Sequence, residues 1–362
     1  MSTEIRIEQE LDTAPTAPPP PSRKLPKVER ETVLYGLCSA LASVVIVALA
    51  FWLTPLDGTV GWVICAYVGF LAIFWALTRR SIGTLRANDR IAAVAVTTLG
   101  LGVVVPLCLI IGYVTIKGIR GLNATFFTDT MEKVGPLDPS SAGGAKHAII
   151  GTLIQVGLAT LISVPLGVLS AVYLNEVGGR MAKTVRFLVD SMSGVPSIVA
   201  GLFIYTIWVV QLGKGFSGLA AAFALSVLML PTVTRTAEEM LKLVPGGLRE
   251  SSLALGASEW RTVWRVVLPS AKTGLVTAVI LGIARVAGET APLLMTSFGN
   301  DSVNTNPTQG PMSALPLFVY KQIRAPEANQ IARAWTGALV LILLVLLLFV
   351  IARAIAALGK KV

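Results

Sequence analysis

Residues 148–174 read AIIGTLIQVGLATLISVPLGVLSAVYL and contain no Asp, Glu, Lys or Arg. As a helix rising about 1.5 Å per residue, this run is about 40 Å long. The hydrocarbon core of a bilayer is about 30 Å thick. No face of the run is charged, so it does not read as a surface helix of a soluble domain. It points to an all-α integral membrane protein. Residues 33–53 and 91–116 lack charge in the same way, and only 14% of the 362 residues are charged, too few to cover a soluble surface.

Working outward, the pattern predicts about eight transmembrane helices, at 33–53, 60–77, 91–116, 148–174, 187–210, 219–234, 271–295 and 334–352. The first two, in a segment 32–90, read as an addition to a six-span body, 91–362. The acidic, Pro-rich tail 1–31 is expected to be disordered. Pro165, Pro196 and Pro231 fall within or at the ends of spans, where each is expected to kink its helix. The net charge of +10 follows topology: with the N-terminus inside, 21 of the 30 Lys and Arg lie in inside segments and 8 in outside ones. That asymmetry places both termini in the cytoplasm and leaves lipid, not nucleic acid, as the partner of the basic charge.

Single residues outside these runs carry less. Cys38, Cys65 and Cys108 lie in apolar spans and read as small packing residues, not as a disulfide framework. His147, the only histidine, enters the fourth span with no acidic or thiol cluster around it; interfacial placement is expected, and no metal site. Arg333 is expected to snorkel outward. Asp190 is expected to pair locally with Arg186. In the outside segment 296–333, residues 312–323 are apolar enough for a short helix on the membrane surface.

The inside segment 235–272 is long, charged and helical in period. Trp260, Val263, Trp264 and Val267 fall at i, i+3, i+4 and i+7 and make one apolar face. Such a face suits either an interfacial helix or a docking helix. Within the segment, Glu250 is followed six residues later by Gly256, and ten residues further on begins Val266-Val267-Leu268-Pro269. This spacing resembles the Glu-Ala-Ala…Gly…Ile-x-Leu-Pro signature of ABC importer permeases, with Ser251-Ser252 for the alanines and Val266 for the isoleucine. The resemblance implies a helix–turn–helix, carried by Glu250, Gly256, Val266, Leu268 and Pro269, that docks on a cytoplasmic ATPase. Gly256 permits the turn, and Pro269 is expected to stop the docking segment. A P-loop for ATP is lacking: Lys183-Thr184 follows Ala182, and Gly359-Lys360 is followed by Lys361. The chain is therefore expected to be no enzyme and to hold no cofactor, with ATP and Mg on partner ATPases.

Arg285 and Glu289 lie in the span that follows. Each costs roughly 2.5–3.5 kcal/mol against lipid, and four residues apart they reach each other on one helix face. The pair either locks packing or forms a station for an anion, to which Arg offers a planar fork. The stretch Arg285-Val286-Ala287-Gly288-Glu289-Thr290-Ala291-Pro292 resembles phosphate-specific ABC permeases of the A type. So do Ile150-Gly151-Thr152, Val164-Pro165-Leu166-Gly167, Tyr173-Leu174-Asn175-Glu176 and 194–201. That resemblance implies one half of a phosphate pore in a bacterial inner membrane. The implied partners are a C-type sister permease, two ATPase subunits and an extracytoplasmic phosphate-binding protein. Arg285, Glu289 and Arg235 are then the substrate path. Arg alone does not separate phosphate from phosphonate or sulfate. An ion-coupled anion carrier has no reason to carry the signature from Glu250 to Pro269, and an intramembrane enzyme lacks convergent catalytic groups.

Overall fold

The computed structural model describes residues 30–54 and 58–358; the expectation for the tail falls mostly outside them. All regular structure among the described residues is helical. Seven helices are long and apolar enough to cross a membrane, or eight if one bent pair counts as a span. The chain divides into two compact units, 1–107 and 108–362, the division falling inside a long helix.

In the first unit, α1 (Arg30–Leu53) and α2 (Thr59–Ile82) lie against each other. Ser43 Oγ donates to the Ala66 carbonyl, which lets a hydroxyl sit in an apolar contact. Phe74 and Thr78 are the buried residues of α2. Trp75 donates to Asn88 at 2.8 Å on α3 (Thr84–Ile119), and the Arg79 guanidinium lies 4.9 Å from the same indole. Cys38, Cys65 and Cys108 are all exposed, so they face outward from apolar helices and do not pack inside, against expectation.

The second unit is built around α8 (Gly218–Lys242). Before it come α4 (Ala124–Thr128), α5 (Lys146–Val172), α6 (Arg180–Ser193) and α7 (Ser197–Ile204). Helix α5 packs along α8, and Val233 of α8 is met from two sides by glycines. A Cβ on Gly167 of α5 or on Gly282 of α11 (Leu268–Ala287) would stand 2.9 or 2.8 Å from Val233. Close backbone approach of this kind is how membrane helices gain packing without a hydrophobic driving force. Val156, Leu225, Met229, Val286 and Leu317 join in the same core. Pro165 and Pro231 sit inside α5 and α8.

Two expected spans are interrupted. The one placed at 187–210 is α6 followed by α7 and a π-helical continuation, Tyr205–Gln211, bent by 106° at 194–196. Pro196 therefore precedes α7 and does not kink a span from within. Helix α6 is amphipathic, with Val189 buried and Arg180, Lys183, Arg186 and Asp190 along it, so it has no reason to enter hydrocarbon. The span placed at 271–295 ends at Ala287, and α12 (Ala291–Thr296) starts anew with Pro292 in its first turn. Last come α13 (Leu315–Ile323) and α14 (Ala328–Leu358). Helix α13 fits the expected 312–323, but Leu315, Pro316, Leu317 and Phe318 are buried, so it is a core element and not a surface one.

Candidate substrate path and docking turn

Arg285 lies in the last turn of α11, where the helix dipole favours a cation. Its side chain is exposed and has no hydrogen bond or ion pair among the described residues. The expected pair with Glu289 is absent. The helix stops at Ala287, with Gly288 as its C-cap, and the backbone N–H of Glu289 closes a turn on Val286 at 3.2 Å. Four residues of sequence are thus not one helical turn here, and Glu289 lies in the break between α11 and α12, half-buried.

Arg235 is inside α8, exposed, and pairs with Asp190 of α6 at 2.7 Å. Arg186, expected to hold Asp190, instead pairs with Glu238 of α8 at 2.8 Å. The local pair fails because both α6 side chains find partners across the helix interface. Glu238, only 6% exposed at its side chain, also meets Lys242 at 3.2 Å. These links tie the amphipathic α6 to α8.

The segment expected to dock forms a helix–turn–helix. Helix α9 (Gly246–Ala254) is followed by Leu255 and Gly256, and Ser258 caps α10 (Glu259–Thr262) by accepting from Arg261 N–H at 3.4 Å. Gly256 has φ +80°, a left-handed value that a side chain resists. Glu250 is exposed, and Leu255 is 89% exposed. Pro269 does not stop the segment. A π-helical turn, Val263–Val267, joins α10 to α11, and Leu268 N–H reaches back five residues to Val263 O. The widened turn lets the prolyl ring enter a continuing helix. Of the expected apolar face, Val263 and Val267 are buried; Trp260 and Trp264 are exposed and meet edge to face at 5.4 Å. Val266 and Leu268 are half-buried.

Three residues were read differently or without a role in the sequence. Arg333 does not snorkel: it is 2% exposed, and its Nη2 donates to the carbonyls of Asp138 and Pro139 at 2.9 and 2.7 Å. His147 is buried within the chain, edge-on to Phe318 at 5.9 Å. Arg249 stands beside Glu250 in the signature. Its Nε and Nη2 donate to the two carboxylate oxygens of Glu176 at 3.0 and 2.7 Å. The same guanidinium donates to Val244 O at 2.7 Å and Leu241 O at 3.1 Å. The hydrogen bonds to Glu176 push it further above its ordinary range, against burial. The signal for Glu176 was only its place in Tyr-Leu-Asn-Glu, 73 residues away. No His, Cys, Asp and Glu cluster among the described residues is arranged to hold a metal ion.

A multi-span helical body, with a glycine turn between two short helices and an arginine without a partner among the described residues at the end of a long apolar helix, is consistent with a membrane permease. Residues 163–358 match the family model described as the binding-protein-dependent transport system inner membrane component. The chain belongs to that family: it is a multi-pass inner-membrane permease subunit of an ABC-type importer, not catalytic itself, and ATP hydrolysis resides in partner subunits. Among its relatives, phosphate transport system permease protein PstA 1 of Mycobacterium tuberculosis (strain CDC 1551 / Oshkosh) is 48% identical over 212 residues, 58% of this chain and 70% of the relative. PstA of Mycobacterium leprae (strain TN) is 41% identical over 262 residues, 72% of this chain and 86% of the relative. PstA of Yersinia pestis is 40% identical over 278 residues, 76% and 92% of the two chains. A solved chain of the MetNI methionine ABC transporter in an inward-facing conformation is similar with a TM-score of 0.47 at 23% identity, over 58% of this chain and 92% of that one.

Proposed function

We propose that this chain carries inorganic phosphate as one half of a pore completed by a C-type sister permease. In this reading an extracytoplasmic phosphate-binding protein feeds the pore, which is driven by two ATPase subunits, and the docking loop is 235–272, with Glu250, Gly256, Val266, Leu268 and Pro269 as its docking residues. Both termini are cytoplasmic, and 91–362 is the permease body to which 32–90 is an addition. The observation that carries the reading is Arg285. A guanidinium within an apolar span is costly against lipid. Among the described residues it has no partner, and it is exposed on the surface of the single chain. Its face therefore belongs against water or another protein, which is what a pore lining needs. The planar fork of arginine matches two oxygens of a phosphate.

In the cycle that follows, ATP closes the ATPase dimer and the docking turn moves. The pore then turns outward, phosphate passes Arg285 and the break holding Glu289, and it leaves near Arg235. Closing Arg235 onto Asp190 gives the exit a group that competes with the anion. The test is phosphate uptake by the assembled complex in proteoliposomes. Arg285→Gln is expected to leave the complex intact and lower uptake by about 100-fold or more, the scale of losing a desolvated charged contact. Normal uptake by that variant overturns the assignment. Gly256→Leu is expected to lose ATPase co-purification, since a side chain at φ +80° deforms the turn. Uptake of sulfate or phosphonate at the rate of phosphate would replace the substrate but keep the site.

A further inference from the structure

Helix α9 has no buried residue. Apolar burial therefore holds it only weakly, and Leu248, Leu253 and Leu255 stand exposed on its surface. It packs beside the turn 263–267, and it is also joined to its surroundings by directed polar bonds. Ser252 Oγ and Thr262 Oγ1 lie 2.8 Å apart across the turn, but this bond holds the turn to itself. Among the described residues, the side-chain hydrogen bonds that leave the turn are those of Arg249.

One guanidinium here serves three elements. Glu176 lies in the π-helical end of α5, Tyr173–Val177, and Asn175 Nδ2 donates to its Oε1 at 2.6 Å. A π turn inserts a residue and re-aims the side chains that follow, a feature often found at functional sites. Leu241 and Val244 supply carbonyls at the C-terminal end of α8, where helix carbonyls lack intrahelical partners and favour a cation. Arg249 itself belongs to α9. The side chains of Arg249 and Glu176 are 23% and 10% exposed, so the fork is shielded from salt more than a surface pair is. Helices α5 and α8 are also the most closely packed pair of the second unit and meet through Gly167.

We propose that Arg249 is a positioning residue: the joint that gears the docking turn to α5 and α8, its guanidinium holding the end of both helices while its backbone moves with the turn. The proposal rests on the docking reading of 235–272. A displacement of α9 of an ångström or two is then passed to two packed helices at once, through bonds that have direction. A purely apolar contact would let the turn slide. Glu250, next in sequence, is exposed and free to meet the partner.

The experiment measures phosphate transported per ATP hydrolysed by the assembled complex with its binding protein, together with the ATPase content of the complex. Arg249→Gln and Glu176→Gln are each expected to retain the ATPase and to lower that ratio by about tenfold, within the usual range of coupling between linked sites. The double variant is expected to be no worse than Arg249→Gln alone, because that change already removes both bonds to Glu176. Arg249→Lys, which keeps the charge and one donor direction, is expected to recover part of the ratio. An unchanged ratio in both Gln variants overturns the joint. So does a fall in ATPase content that accounts for all lost uptake; Arg249 is then part of the docking surface, and the docking reading survives. If the unaltered chain holds no ATPase, the docking reading itself fails before any variant is compared. Should the Gln variants not reach the membrane, Glu176→Asp decides, since it keeps the charge and shortens the reach by one methylene.

Discussion

Helix α8 and helix α3 both pass for membrane spans, yet 67% of the spanning window of α8 is buried within the chain and 0% of that of α3. The buried helix is the less apolar of the two. It holds Ala220, Ala221, Ala222, Ala224, Ser226, Thr234 and Glu238 as buried residues. Helix α3 shows Leu99, Leu101, Val103, Val104, Leu107 and Leu109 to the outside. The difference teaches that hydropathy in a membrane chain reports contact with lipid, not depth in the core. A helix ringed by protein needs small residues for close approach and can carry a paired carboxylate. A helix ringed by lipid needs only bulk and no charge.

Breaking this contrast is most severe where α5 meets the loop before α13. A Cβ on Gly151 would overlap the carbonyl oxygen of Ser313, a backbone atom that cannot turn aside. Gly151→Val is expected to cost about 3 kcal/mol or more, the upper part of the overpacking range. In a fluorescence-detected size-exclusion melt of the detergent-extracted complex, the chain should be nearly absent above ambient temperature. Next in size is Glu238→Ala. It strips a buried carboxylate from Arg186 and Lys242. Both bases are about half-exposed and turn to water, so about 1–2 kcal/mol is expected, less than a fully buried pair loses. The same melt should shift downward while assembly persists. Leu101→Ala in α3 sharpens the contrast from the other side. Its side chain is more than half exposed, and a change below about 0.5 kcal/mol is expected. Smallest of all, removing 1–83 is expected to leave phosphate uptake by the complex unaltered. A lost uptake there would show that 32–90 is part of the pore machinery and not an addition.

Much of the fold was legible from where charge is missing, because a run such as 148–174 has one physical solution. The interruptions were not legible. A window over 187–210 stays apolar across Gly194-Val195-Pro196, and averaging cannot see a three-residue bend between apolar flanks. Pro165 and Pro231 stand within continuing helices, so proline alone does not mark the break. At 285–289 the same blindness produced an expected pair on one helical turn, where Gly288 in fact ends the helix. The turn at Gly256 was readable because glycine answers a local need of the backbone there. Arg249 and Arg333 were not, because their partners are 73 and 195 residues away or are bare carbonyls, which no side-chain pattern announces.

The bend between α6 and α7 also constrains how the chain is made. Ser197–Gln211 is about 22 Å long at about 1.5 Å per residue, short of the bilayer's apolar thickness. A nascent segment of that length is a poor stop for the insertion machinery, and its polar flank α6 cannot extend it. It finds its complement in α12, where a Cβ on Gly201 would come within 2.6 Å of the Pro292 Cα. Residue 292 is synthesised some ninety positions later. The contact between Gly201 and Pro292 can therefore form only after most of the chain has been made, whereas the packing of α7 on α8 needs only the residues that directly follow it.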